Sequence, residues 1–94
     1  MPYFDPADGY AGVLDFLRDR LQRGDVCLAS GNARGAIVHY DSALASFLDH
    51  RHDPALREVY RALWANKATA HQQLREFAKS QEAAVVASAL GHAA

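Results

Sequence analysis

Apolar side chains in the first third of the chain recur at the spacing of one helix face. They lie mostly three, four or seven positions apart, which places them on a single stripe of a helix. They are Val13, Leu14, Leu17, Leu21 and Leu28. Asp5, Pro6 and Asp8 supply an N-cap, a first-turn proline and an acid near the positive end of the helix dipole. The pattern predicts a first helix from about Pro6 to Ser30.

A second helix is predicted after the break at Ser30-Gly31-Asn32. Glycine permits a left-handed helix end there, and asparagine can cap the helix that follows. We expect this helix to cover about Ala33 to Asp49. Its inward-facing residues are predicted to be Ala36, Ile37, Tyr40, Ala43, Leu44 and Phe47.

A third helix is predicted to begin at Asp53-Pro54, which supplies a cap and a first-turn proline. The preceding residues, His50-Arg51-His52, suit the negative end of the second helix dipole. The apolar face of the third helix consists of Leu56, Val59, Tyr60, Leu63 and Trp64. No glycine or proline then interrupts the chain before Gly91, which marks the last helix end.

An internal repeat divides this last stretch. Gly24, Ala36 and Ala43 are spaced by twelve and seven, and the spacing returns 44 positions later at Ala68, Ser80 and Ala87. Neighbouring helices approach closely only where side chains are short, so a small residue of one helix facing another would explain the spacing of twelve. The repeat predicts a helix boundary near Leu74-Arg75-Glu76. The expected fold is all-α, with four helices in two antiparallel hairpins.

The residues around these positions resemble a tetratricopeptide repeat. In RGDVCLASGNARGAIVHYDSAL (23–44) a glycine in helix A and a glycine-containing turn precede Ala-Ile, Tyr and Ala-Leu in helix B. LWANKATAHQQLREFAKSQEAAVVASAL (63–90) is similar, with matches at Trp64, Asn66, Ala68, Ala70, Phe77, Ser80 and Ala87. The resemblance implies one domain over 1–94, a fragment of a right-handed superhelix with repeats at about 17–50 and 54–91. A regular repeat has 34 residues, so the offset of 44 requires about ten extra residues around Ala45 to Val59. Co-chaperones such as the large immunophilins have helices elongated at that place.

The same resemblance implies that the chain binds a peptide or a partner helix in a concave groove lined by its A helices, as an adaptor or scaffold. Leu21 and Asp25 stand where chaperone-binding members have lysine and asparagine, and only Asn66 matches their carboxylate clamp. An aspartate repels a carboxylate, which argues against a chaperone tail. The groove residues implied by the match are Arg18, Leu21, Gln22, Asp25, Leu28, Ala29, Ala62, Ala65, Asn66, Thr69, Gln72 and Gln73.

Charge and composition narrow the class of partner. Ten basic and eleven acidic residues are mixed along the chain, with a formal net charge of −1, so no basic field is available for nucleic acid. Cys27 is the only cysteine, which excludes an intramolecular disulfide and favours a reducing compartment. The sequence offers neither a secretion signal nor an apolar run of membrane-spanning length. We therefore expect a cytoplasmic protein with a protein or peptide partner and no membrane insertion.

Candidate catalytic and metal-binding residues are few. Asp49-His50-Arg51-His52-Asp53 alternates metal-ligand types, but the chemistry of helix ends already accounts for it. Cys27 with His39 or His71 could form a thiol and base, yet a lone helical cysteine is usually a small buried hydrophobe. The sequence therefore predicts no enzyme activity, no cofactor and no metal.

Two other architectures fit part of the pattern. In a three-helix module similar to the microtubule-interacting and trafficking domain, 54–90 would form one unbroken helix. In a self-assembling scaffold piece, the chain would associate with copies of itself. Two repeats fall below the roughly three that usually bury a continuous core. We therefore expect Val13, Phe16 and Tyr3-Phe4 to cover one end, or the last helix to form a homodimer.

Overall fold

The chain folds into four α-helices in a computed structural model that describes residues 9–46 and 54–92. Helices α1 (Gly9–Ala29) and α2 (Ala33–Ala45) come first. A short 3₁₀ turn (Pro54–Leu56) then leads into α3 (Arg57–Gln73), and α4 (Phe77–His92) follows. The described residues contain no strand, so the predicted all-α fold of four helices is confirmed.

The turn between α1 and α2 ends the first helix through a glycine. Gly31 has a φ of 82°, in the left-handed region that glycine adopts without steric cost. Its amide donates to Leu28 O (3.1 Å) and the next amide, of Asn32, donates to Cys27 O (2.8 Å), which is the Schellman pattern. The side chain of Asn32 then accepts from Gly35 N (2.9 Å) and caps α2 as predicted.

The turn between α3 and α4 has the same geometry without a glycine. Arg75, 44 residues after Gly31, has a φ of 60°. Its amide donates to Gln72 O (3.0 Å), and the Glu76 amide donates to His71 O (2.9 Å). The boundary predicted from the repeat is therefore confirmed. The unbroken third helix of the three-helix alternative is wrong, because Arg75 reverses the backbone there.

Arg75 identifies a position where glycine should be more stable than the native residue. A non-glycine residue in the left-handed region costs on the order of 1–2 kcal/mol, part of which is offset by the larger unfolded-state entropy of glycine. We expect Arg75→Gly to raise the free energy of unfolding by about 1 kcal/mol. The reverse change at the matched position, Gly31→Arg, should lower it by a similar amount. Urea unfolding of both variants checks this, and a loss of stability in Arg75→Gly would contradict it.

One core lies among the helices. Helix α1 packs along α2 and α3 along α4, while α3 also contacts α1 and α2. Tyr40, Leu17, Leu56, Leu63 and Val13 are the largest fully buried side chains. Each of these five residues was predicted on the apolar face of its helix, and their burial confirms those predictions. Leu56 lies in the turn that leads into α3, and it is buried with them.

Most predicted inward positions are buried or packed against the core. Ile37, Leu44 and Leu28 are half-buried against it, as are Phe16 and Cys27. Trp64 is different: it was predicted on the core face of α3 but is only half-buried, at the edge of the packing. The predicted end of α2 at Asp49 is wrong: the helix ends at Ala45, because the backbone of Ser46 is already extended. The cap at 5–8, the covering pair Tyr3-Phe4 and the inward position Phe47 lie outside the described residues.

Each hairpin has a close contact at a residue that the spacing of twelve predicted to be small. A Cβ added at Gly24 would overlap the Tyr40 ring at Cε1 and lie within 2.7 Å of Cδ1, so the glycine makes room for an aromatic ring. In the second hairpin Ser80 Oγ donates to Ala68 O at 2.8 Å, directly joining the predicted pair. The prediction of two small residues facing each other is confirmed for the second hairpin, and in the first hairpin the space beside Gly24 is also taken up by Tyr40, one turn after Ala36.

None of the described helices is both long enough and apolar enough to cross a lipid bilayer.

Candidate functional site

Asp25 joins three helices through one carboxylate oxygen. From α2, the Tyr40 hydroxyl donates to Asp25 Oδ1 at 2.5 Å, and from α3 Asn66 Nδ2 donates to the same oxygen at 2.9 Å. Burial, together with this hydrogen bond to a carboxylate, raises the pKa of Tyr40 above its ordinary range, so the phenol remains a donor. Two donors from two helices thus fix the orientation of an exposed carboxylate on α1.

A shallow depression adjoins this carboxylate and contains about 440 Å³ of space. We call it the α1 pocket; its lining residues are Arg18, Leu21, Gln22, Asp25, Val26 and Ala29. Val26 is 60% exposed, so its side chain is available for apolar contact. Five of these six residues had been assigned to the groove from the sequence; Val26 was missed because it lies beside the predicted stripe rather than on it.

The assigned groove residues of α3 are divided among several surroundings. Asn66 already donates to Asp25, so its amide group is only partly available to a peptide. Thr69 is exposed, with its hydroxyl donating to Ala65 O at 3.3 Å. Gln72 lines a separate depression together with Phe77 and Val85 of α4. Gln73 is exposed at the end of α3. We therefore define the α1–α3 face as the α1 pocket plus Asn66.

A larger depression of about 550 Å³ lies on another side of the molecule, between α2 and α4 and across α3. None of the assigned groove residues lines it. Lys67 is one of its lining residues, with Nζ 2.6 Å from Asp41 Oδ1 and 5.0 Å from the centre of the Trp64 ring. Its lining residues are Arg34, Ile37, Val38, Asp41, Trp64, Lys67, His71, Lys79, Glu82 and Ala83.

Glu76 connects the second turn to two helices beside this larger depression. One carboxylate oxygen lies 2.9 Å from His71 Nδ1 of α3, and the other accepts from Arg34 of α2 at 3.3 Å. The hydrogen bond with His71, aided by the Arg34 and Lys79 charges, lowers the pKa of Glu76. His71 is 6% exposed, and this carboxylate satisfies a ring nitrogen that burial would otherwise leave unpaired. These contacts link the second turn to α2 and α3 and therefore account for the cluster as a structural one.

The candidate thiol and base residues are not brought together as a dyad. His39 Nδ1 lies 3.4 Å from Arg20 of α1, and His71 is bonded to Glu76. Cys27 is half-buried against the core. No group of three metal-ligand side chains assembles within 9–46 and 54–92, and the alternating run 49–53 lies outside the described residues.

No family model matches the chain, and neither the curated proteins nor the solved structures contain a significant match to it.

Proposed function

We propose that this protein is a protein–protein interaction module, similar to tetratricopeptide repeats, that binds a peptide or partner helix on its α1–α3 face. The role is that of an adaptor or scaffold, with binding rather than catalysis as its chemistry. In this arrangement α1 and α3 act as the A helices of two repeats, and α2 and α4 act as the B helices behind them.

The link between Asp25 and Asn66 is the observation that carries this proposal. It connects the two A helices beside the α1 pocket, so a ligand would meet a preformed surface and lose little affinity to ordering it. An exposed valine within the pocket offers apolar contact, and Gln22 and Asn66 offer hydrogen bonds to a peptide backbone. The two turns also support a repeat, because their left-handed residues, Gly31 and Arg75, are 44 positions apart, which is the offset of the small residues.

The test uses peptides selected from a random dodecapeptide display library against the full chain. We expect Val26→Gln to weaken the selected peptides about tenfold, because one buried valine side chain contributes roughly 1.5 kcal/mol. Fluorescence anisotropy measures the affinities. Glutamine is neutral and favours helix, so the fold and the net charge of the face are preserved.

The matched control is Val38→Gln, since Val38 is 66% exposed on α2 and lines the larger depression instead. It should leave the affinity unchanged. If Val38→Gln abolished binding while Val26→Gln did not, the ligand would occupy the other depression and the α1–α3 face would be wrong.

A second function, self-assembly, is favoured by one feature of α4. Phe77 and Val85 are both 59% exposed, two turns apart on the same side of the helix. Together with Gln72 they line a shallow depression that another copy could cover, as a homodimer or as part of a larger scaffold. Sedimentation that changes with protein concentration, combined with no peptide selected from the library, would favour this function over the first.

A further inference from the structure

We infer that the α1–α3 face recognises a basic side chain, a lysine or arginine of a peptide partner, at the free oxygen of Asp25. An apolar residue next to that basic side chain would occupy the α1 pocket. This inference rests on the proposed function and adds to it the chemical class of the ligand.

The hydrogen bonds of Asp25 leave one oxygen available. Both Tyr40 and Asn66 donate to Oδ1, and among the described residues no side chain is hydrogen-bonded to Oδ2. Asp25 is exposed, so Oδ2 can be reached from solvent. A carboxylate already oriented by two donors loses little freedom when a third donor binds, and hydrogen bonds to a charged acceptor are stronger than neutral ones.

The charge around Asp25 fits a cation and disfavours an anion. Its polar neighbours Gln22 and Asn66 are neutral, and the one basic residue of the pocket, Arg18, lies two helical turns away, roughly 10 Å along α1. At that distance a solvent-exposed charge is largely screened at physiological salt. A ligand carboxylate at this point would face Asp25 directly, whereas a lysine or arginine would form an ion pair with it.

The apolar part of the pocket determines what accompanies the basic side chain. Leu21 precedes Asp25 by one helical turn, Ala29 follows it by one, and Val26 is adjacent in sequence. An aliphatic side chain of the ligand can lie on these residues while its basic neighbour reaches Oδ2. The fitting partner is therefore a segment that combines basic and aliphatic residues.

The peptides selected from the random dodecapeptide library provide the test, synthesised with acetylated amino termini. We expect lysine and arginine to be enriched beside aliphatic residues, and replacing the basic residue with glutamine should weaken binding about tenfold. Asp25→Asn, which keeps an acceptor oxygen for Tyr40 and Asn66, should cause a similar loss. Combining the two changes should add little further loss, because both remove the same contact.

A second pair of variants leaves Asp25 and its hydrogen bonds unchanged. Gln22 is exposed one turn before Asp25, close enough for a charge there to compete with or reinforce the carboxylate. Gln22→Lys should weaken the basic peptides about threefold, and Gln22→Glu should tighten them by a similar factor. Equal affinities for both variants would overturn the inference even if Asp25→Asn proved unstable.

The other outcomes separate this inference from the proposed function. Peptides that depend on Val26 but have no basic enrichment and ignore Asp25→Asn would overturn the inference and leave the function standing. A library that yields no binder, or binders insensitive to both positions, would overturn both.

Two further outcomes would assign a different occupant to the face. Binding lost on acetylation would assign the cation to an amino terminus. A dimer broken by Arg18→Glu and restored by adding Asp25→Arg would assign the face to a second copy; either result overturns the peptide side chain as occupant.

Discussion

Gly24→Ala is expected to lower the free energy of unfolding by about 2 kcal/mol, although glycine is normally the poorer residue inside a helix. A Cβ at this position would lie 2.7 Å from Cδ1 and 2.8 Å from Cζ of Tyr40 and closer still to Cε1. Tyr40 is fully buried and its hydroxyl is bonded to Asp25, so the ring has little room to move away. The overpacking cost, typically 1–3 kcal/mol and at its upper end here, outweighs a gain of up to about 1 kcal/mol in helix propensity.

The matched control is the same substitution at Gly12, which lies exposed in the same helix. Because Gly12 is exposed, Gly12→Ala should raise stability by up to about 1 kcal/mol. Urea unfolding monitored by circular dichroism measures both variants, and near-ultraviolet spectra report on the tyrosine environment. If Gly24→Ala were as stabilising as Gly12→Ala, the close approach of α1 to the Tyr40 ring would be wrong.

The first hairpin could be predicted from the sequence because local signals agree there. The apolar stripe of α1 has the helical period, and Gly31-Asn32 combines the residues that end one helix and cap the next. In the structure α1 ends at Ala29, one residue before the predicted end at Ser30, and α2 begins at Ala33 as predicted. Each signal lies within a few positions of the feature that it predicts.

The second turn has no such local signal. Arg75 occupies the left-handed conformation that Gly31 occupies in the first turn, and arginine gives no indication of this in a sequence. Only the 44-residue repeat pointed to the boundary, because it compares the position with its counterpart rather than with its neighbours. The backbone there is held by hydrogen bonds from the end of α3, and Glu76 adds links to His71 and Arg34.

The hydrogen bonds of the candidate site could not be predicted from the periodicity of the sequence. The resemblance to a repeat family assigned Asp25 and Asn66 to one face, yet it gave no reason for them to bond to each other. Their bond spans 41 positions, and the bond from Tyr40 spans 15. Side chains that meet across three helices depend on helix crossing geometry, and a period along one helix contains no information about that geometry. Trp64 illustrates the same limit, since the pattern predicted a core residue and the structure places it at an edge.

Ala68→Leu is expected to lower the free energy of unfolding by about 3 kcal/mol, because a larger side chain would force α3 and α4 apart where they are in contact. Ala68 is 8% exposed, and its carbonyl accepts the Ser80 hydroxyl at 2.8 Å, so the residue is buried where α4 packs on α3. Ala65→Leu, three residues earlier on an exposed position, should change stability by no more than about 0.5 kcal/mol. Both are alanine-to-leucine changes in one helix, so their helix propensities match and the difference isolates packing against α4. Equal stabilities in urea would mean that the second hairpin does not close at Ala68, and the pairing of repeats through small residues would then be lost with it.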